Sequence, residues 1–314
     1  MFMLPKENCR ESEVLDLDEV KLFFSQQNYE VLEINQLWRH VHGKLKKGDD
    51  VFFFKLASTE EIGTRTKNEV SWNKALHDVF SSSKVNFFSV PRIIKSGLYQ
   101  NKFYYVATYY GGDLLASKNP LATEGLSKWL DKITDINIFF KSLKGVSLIR
   151  DNEIKSIRYD YLLKSNLWFN EFGDNSLNLL LDEVKKLSLD YEMGLNHGDF
   201  VPWHMIGDNN KVILIDGEHA SNKYHKYHDV CYFYHRLWTV AANPGLANSY
   251  LDMVYNKLSS SEKDTFFEDM RPILACRALC GFRDAKVDGV VDFKSHRDFK
   301  NALLNNSLFD YLKN

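Results

Sequence analysis

Leu195 to Ala220 holds the chain's densest set of chemically useful side chains. His197-Gly198-Asp199 sit on a short loop, and Asp216 closes the apolar run Val212-Ile213-Leu214-Ile215. Gly207-Asp208-Asn209-Asn210 between them reads as a turn, so a small hairpin can bring both carboxylates to one cleft. Phosphoryl transfer uses such a pair. One carboxylate accepts or orients the proton of an attacking hydroxyl, and another holds the metal that neutralises phosphate charge. Asp199 is the expected base and Asp216 the expected oxygen ligand for Mg²⁺, a hard cation. His197, two residues before Asp199, is expected to hold the loop by hydrogen bonds.

The elements that must position these groups can be read in order. Leu17 to Gln27 has helical spacing, with Val20, Phe23 and Phe24 on one side. From Tyr29 the pattern turns strand-like: Tyr29–Ile34, Leu37–Leu45, a turn at residues 46–50, then Val51–Ser58. Lys55 lies in the third of these apolar strands. Such a lysine can serve chemistry or simply reach water from a strand end. A helix over Thr66–Phe80 follows, with Glu69, Trp72 and Leu76 at helical intervals, and Glu69 alone could equally be a solvated helix carboxylate. Val90–Leu98 and Lys102–Tyr110 supply two more strands, and the second leaves the sheet through Gly111-Gly112. Beyond that point the spacing predicts helices over Leu121–Leu143, Tyr159–Phe172, Leu177–Leu189 and His225–Val240, with Asp229 near the start of the last.

The order His197-Gly198-Asp199, then Asp216, resembles the catalytic core of the aminoglycoside phosphotransferase and choline kinase families, small-molecule relatives of the protein kinases. The resemblance implies an α+β, protein-kinase-like bilobal fold. Residues 1–110 would form a small antiparallel β lobe with one helix that binds nucleotide, and residues 111–314 a larger, mainly helical lobe that holds the acceptor. It further implies that Lys55 holds the α- and β-phosphates of ATP with Glu69 as its partner, that the backbone at Tyr109 and Tyr110 meets the base, and that Asp229 braces the catalytic loop. His204 stands where those families carry the Asn that is the second metal ligand. An imidazole suits Mn²⁺ better than Mg²⁺, and Glu218 could add a carboxylate near the metal. Gly43 is the single glycine between the first two strands, so a Gly-rich phosphate loop is missing.

Composition limits the partners. A net charge of -2 supplies no global field for nucleic acid or an acidic membrane. No apolar run approaches a membrane helix of roughly 18 residues. Cys9, Cys231, Cys276 and Cys280 lack metal spacing and read as reduced thiols, and the first ten residues lack a signal-peptide pattern, so a cytoplasmic location is expected. The spacing after Asp216 leaves no room for a protein-kinase activation segment. The expected acceptor is therefore a small hydroxylated molecule. Arg271, Arg277, Arg283 and Lys286 favour a neutral or anionic, sugar-like one, although solvated helix charges would give the same text. A pseudokinase that binds nucleotide without turnover is the alternative that His204 raises. Oligomeric state is not legible.

Overall fold

The computed structural model describes residues 12–118, 121–153 and 158–312. Cys9 lies outside them, and the other three cysteines are free and buried. The chain divides into two compact units. One comprises the residues up to Asp113 together with Ser147–Glu153 and Ile206–Ala220, and the other takes the rest. The expected division after residue 110 therefore misses two returning segments. One of them returns because the strand Lys211–Leu214 pairs in parallel with Phe88–Ser89.

The first unit is built on helix α1 (Leu17–Ser25), strands β1 (Glu30–Leu37), β2 (His40–Lys47) and β3 (Asp50–Ala57), helix α2 (Glu60–Ser82), and strands β4 (Phe88–Ser89), β5 (Ile93–Tyr99) and β6 (Lys102–Thr108). Five of the strands form an antiparallel sheet in the order β1-β2-β3-β6-β5. Alternation along β3 sorts its side chains between two faces. Phe54 and Leu56 enter a core with Val20 and Phe24 of α1, Val41, Leu45 and Val106. Burying each such side chain contributes about 1.5–3 kcal/mol. Phe53 falls on the other face, where Val70 of α2 packs with Tyr105 and Ala107. Lys55 shares that parity, so the strand period directs it toward α2.

Helix α2 starts six residues before the expected Thr66, because the Thr59 hydroxyl accepts the Ile62 N–H and Glu60 and Glu61 favour the first turn. The β1–β2 connection is only Trp38-Arg39, with Trp38 at φ 52°. The sequence pattern had run a strand through both residues. Gly43 belongs to β2 and not to that loop. It pairs with Ile34 beside a register shift in β1, where an added Cβ would stand 1.9 Å from the Glu33 carbonyl oxygen.

The second unit is mainly helical: Leu130–Ser142, Tyr161–Phe172, Asn178–Val184, His228–Thr239, Pro244–Asn256, Ser260–Val287 and Lys294–Leu304. Phe233 packs between Phe200 and Tyr250 at ring separations of 5.7 and 4.6 Å. The strands Met193–Asn196 and Ser221–His225 pair antiparallel within this unit. Two expected helices are shorter than their apolar pattern. Leu121–Leu143 becomes a short strand, a 3-10 turn and a helix from Leu130, and Leu177–Leu189 ends at Val184. In the latter, the Ser188 hydroxyl accepts the Asp190 N–H at 3.1 Å, a local turn that competes with the helix. Among the described residues no helix is long and apolar enough to cross a membrane.

Gly43→Ala tests the close approach of β1 and β2. We expect a loss of about 1–3 kcal/mol, seen as a lower urea midpoint, whereas an unchanged midpoint would show that the bulge can relax.

Candidate active site

In the first unit β3, α2 and the segment after Lys211–Leu214 place four charged groups together. Lys55 Nζ donates to Glu69 Oε2 at 2.8 Å and to Asp216 Oδ1 at 2.6 Å, and lies 3.7 Å from Glu218 Oε2. Burial works against the lysine charge, but Asp216, Glu69 and Glu218 together hold it well above the ordinary lysine range. Glu69 accepts from the Tyr105 hydroxyl at 2.9 Å and from the Asp216 backbone N–H at 3.2 Å, both on Oε1. One glutamate thus fixes the lysine and the backbone of the next acid. Asp216 needs fixing, because it takes φ 67°, a left-handed conformation uncommon outside glycine.

Glu218 is turned inward. Its side chain is 2 % exposed, Arg39 donates to Oε1 at 3.1 Å, and His219 Nε2 lies 3.3 Å from the same oxygen. Burial would raise its carboxyl, yet Lys55, His219 and Arg39 bring it well below the usual range. Asn68 holds the same segment by donating to the carbonyls of Glu218 and Ala220 at 3.2 and 3.0 Å. Arg150 donates to the His219 carbonyl at 2.8 Å. Tyr109 and Tyr110 follow the end of β6, with the Lys44 ammonium 5.1 Å from the Tyr109 ring.

In the second unit the loop of His197, Gly198 and Asp199 hangs from Asp229. The two carboxylate oxygens of Asp229 accept the backbone N–H groups of His197 at 2.6 Å and Gly198 at 3.0 Å, while its own N–H donates to Asn196 Oδ1 at 3.0 Å. Gly198 is required there because φ is 81°. His197 is fully buried beneath the loop. The resemblance assigned Asp229 to brace this loop, and both its carboxylate oxygens accept loop amides although it stands in the first turn of His228–Thr239.

His204 Nδ1 donates to the Asp199 carbonyl at 3.1 Å and stands 3.6 Å from Asp199 Oδ2. A carbonyl can only accept, so Nδ1 carries a proton and only Nε2 could meet a metal. The three candidate ligands are divided accordingly. Asp216 and Glu218 share Lys55 in one unit, and His204 stays with Asp199 in the other. Among the described residues no group of three or more His, Cys, Asp or Glu could hold a metal ion. Mg²⁺ is commonly held by one or two carboxylates plus substrate phosphates. Asp216, 31 % exposed against 2 % for Glu218, fits that donor set, whereas Glu218 is occupied by cations.

This architecture has known counterparts. The GDP complex of aminoglycoside 2'-phosphotransferase-IIIa superposes with a TM-score of 0.61 at 12% identity, over 93% of this chain and 99% of that one. A thermostable mutant of the aminoglycoside phosphotransferase APH(4)-Ia, in ternary complex with AMP-PNP and hygromycin B, gives 0.62 at 14% identity over 92% and 99%. Aminoglycoside-3'-phosphotransferase of type VIII gives 0.52 at 15% identity over 82% and 98%. The fold is that of the aminoglycoside phosphotransferases. By sequence no family model and no curated protein matches the chain.

Within the aminoglycoside phosphotransferase fold, the pattern of this sequence pointed to Lys55, Glu69, Asp199, Asp216 and Asp229, and missed Arg39, Asn68, Tyr105 and Arg150. No local motif marks those four. Arg39 became visible only once Trp38-Arg39 proved to be a turn.

Two buried groups near these sites set opposite pH trends. His40 donates to the Thr66 hydroxyl oxygen at 3.2 Å, and burial first, then the Lys55 charge, pushes it down to about 3. The unfolded chain binds that proton near 6.5, so this group adds stability as pH rises from about 3 to 6.5. Burial pushes Asp229 up to about 7, against its two amide hydrogen bonds. The unfolded carboxyl ionises near 3.8, so this group subtracts stability between about 4 and 7. His225, at about 3, and His296, at about 4, side with His40. We therefore expect urea midpoints to rise from pH 4.5 to 6.5, less steeply in His40→Gln and more steeply in Asp229→Asn. A wild-type curve that falls across this range would refute the assignment.

Proposed function

We propose that the protein is an ATP-dependent phosphotransferase that moves the γ-phosphate to a hydroxyl of a small molecule. The observation that carries this reading is the buried Lys55 joined to both Glu69 and Asp216, in a fold shared with aminoglycoside phosphotransferases that include GDP and AMP-PNP complexes. A lysine that only reached for water would not be buried between carboxylates from α2 and from the segment after Lys211–Leu214. A lysine fixed by one carboxylate and aimed beside another is placed to meet phosphate oxygens.

Each residue then has a distinct task. Lys55, kept charged by its neighbours, receives the α- and β-phosphates, and Glu69 fixes its direction. The main chain at Tyr109 and Tyr110 meets the base. Asp216 holds Mg²⁺ or Mn²⁺, which when bound neutralises charge on the transferred phosphoryl group. Glu218 acts through Arg39 and Lys55 as a positioning residue. Asp199 accepts or orients the proton of the acceptor hydroxyl, on a loop that Asp229 and His197 keep in place. His204 orients Asp199 through the Nδ1–H bond to its carbonyl, which supports a role for this histidine other than that of the metal-binding Asn it replaces. The acceptor is a small hydroxylated compound, as kanamycin and hygromycin B are for the neighbouring structures.

Acceptor-dependent ADP release, measured with Mg²⁺ and with Mn²⁺ over a panel of hydroxylated metabolites, tests the reading. Asp199→Ala should lower kcat by about 10²- to 10⁴-fold with nucleotide affinity retained. Lys55→Met should weaken nucleotide binding itself, and Asp216→Ala should abolish the metal requirement together with turnover. Nucleotide binding without turnover under either metal would instead assign the chain to the non-catalytic class.

A further inference from the structure

Helix Ser260–Val287 carries five basic residues: Lys263 lies 5.1 Å over the Tyr255 ring, and three others have ordinary partners. Arg271 Nε donates to Glu183 Oε2 at 2.6 Å, Arg283 Nε to Glu171 Oε2 at 2.6 Å, and Lys286 Nζ to the Phe172 carbonyl at 2.7 Å. Arg277 differs. It is 5 % exposed, and neither Nε nor Nη2 has a hydrogen-bond partner. The nearby carboxylate of Asp284 is already taken by Arg236 at 2.7 Å and Arg283 at 3.2 Å. What Arg277 does have is the face of Tyr232, with the guanidinium carbon 3.6 Å from the ring centroid, and the more distant ring of Trp168 at 6.0 Å.

A cation–π contact recovers only part of the hydration that a buried guanidinium gives up. The two unbonded donors are also the particular pair on one edge of the guanidinium, Nε–H and Nη2–H, that forms parallel hydrogen bonds to a carboxylate or phosphate. The position of this edge is set within the second unit. Asp229 binds the amides of the loop that carries Asp199, Tyr232 lies one turn further along the same helix, and Arg277 stacks on Tyr232. Consistent with that proximity, burial and then the Asp199 charge raise the Tyr232 phenol above its usual range.

We propose that the acceptor is a hydroxylated molecule bearing a carboxylate or phosphate group, and that the Nε/Nη2 edge of Arg277 receives this group while the hydroxyl lies at Asp199. The inference rests on the phosphotransferase reading for its hydroxyl end and on Arg277 alone for its anionic end. It makes Arg277 the residue that determines acceptor charge, and it sets this chain apart from a protein built for polycationic acceptors.

Calorimetric titration of the full chain, without nucleotide, separates the two parts. Glucose, glucuronate, glucose 6-phosphate and inorganic phosphate serve as probes, with Arg277→Gln and Arg277→Lys as variants and ADP binding as the control for folding. An anionic sugar should bind where glucose does not, and both variants should lose about 10- to 100-fold of that affinity with ADP binding intact. The lysine variant keeps the charge without the fork, so it answers the question even if the glutamine variant does not fold. Equal binding in wild type and variants, or no anion binding at all, would overturn the proposal. So would inorganic phosphate binding as tightly as the sugar phosphate, since the fork would then serve a free anion. Turnover of neutral acceptors that Arg277→Lys leaves unchanged would overturn it while the phosphotransferase reading stands. Anion binding at Arg277 with no turnover of any acceptor would do the reverse.

Discussion

A buried ammonium is the constraint on which the first unit depends. Removing a lysine charge from water costs several kcal/mol unless partners repay it, and Lys55 is repaid by three carboxylates that arrive from separate parts of the chain. Glu69 comes from the middle of α2, while Asp216 and Glu218 come from a segment that rejoins the unit more than a hundred residues later. The need to balance one charge therefore fixes where α2 lies on the sheet and where the returning strand must end. It also makes the left-handed backbone at Asp216 tolerable, because Glu69 accepts that residue's N–H while holding the lysine.

In the second unit the corresponding device is a carboxylate that binds main-chain amides. Asp229 takes two successive N–H groups, which orients the peptide units on both sides of His197 just ahead of Asp199. The loop is thus held by its backbone. His204 repeats the arrangement from the other direction by donating to the Asp199 carbonyl.

What the sequence revealed follows from the range of the interactions. Period-two text in β3 and helical spacing in α2 are local, but each left Lys55 or Glu69 an ordinary solvent-facing explanation, and only the resemblance to the phosphotransferases paired them. Asp229 was legible as an acid at a helix start, a local signal with an ordinary capping explanation, and it was the resemblance that assigned it to the catalytic loop. Arg39 was hidden because neither Trp38 nor Arg39 is a turn-forming residue, and the hairpin closes through Trp38 at a positive φ. Arg277 could not be told from Arg271 or Arg283, since only the fold shows that Glu183 and Glu171 bond the latter two and that Nε and Nη2 of the first have no hydrogen-bond partner. The returning segment was hidden for a similar reason: sequence order does not show that Lys211–Leu214 pairs with Phe88–Ser89.

The charges around Lys55 separate Asp216 from Glu218. Glu218 has Lys55, Arg39 and His219 beside it, while burial and Lys55 keep His40 neutral. A carboxylate charge costs least where water can still reach it. Glu69 and Glu218 are 4 and 2 % exposed, whereas Asp216 is 31 % exposed. Burial and the neighbouring Asp216 raise the Glu69 carboxyl against the pull of Lys55, so the two acids compete for one ammonium. Under the phosphotransferase reading proposed above, a divalent cation held by Asp216 would relieve that competition, and nucleotide phosphates would give Lys55 anionic partners in its place.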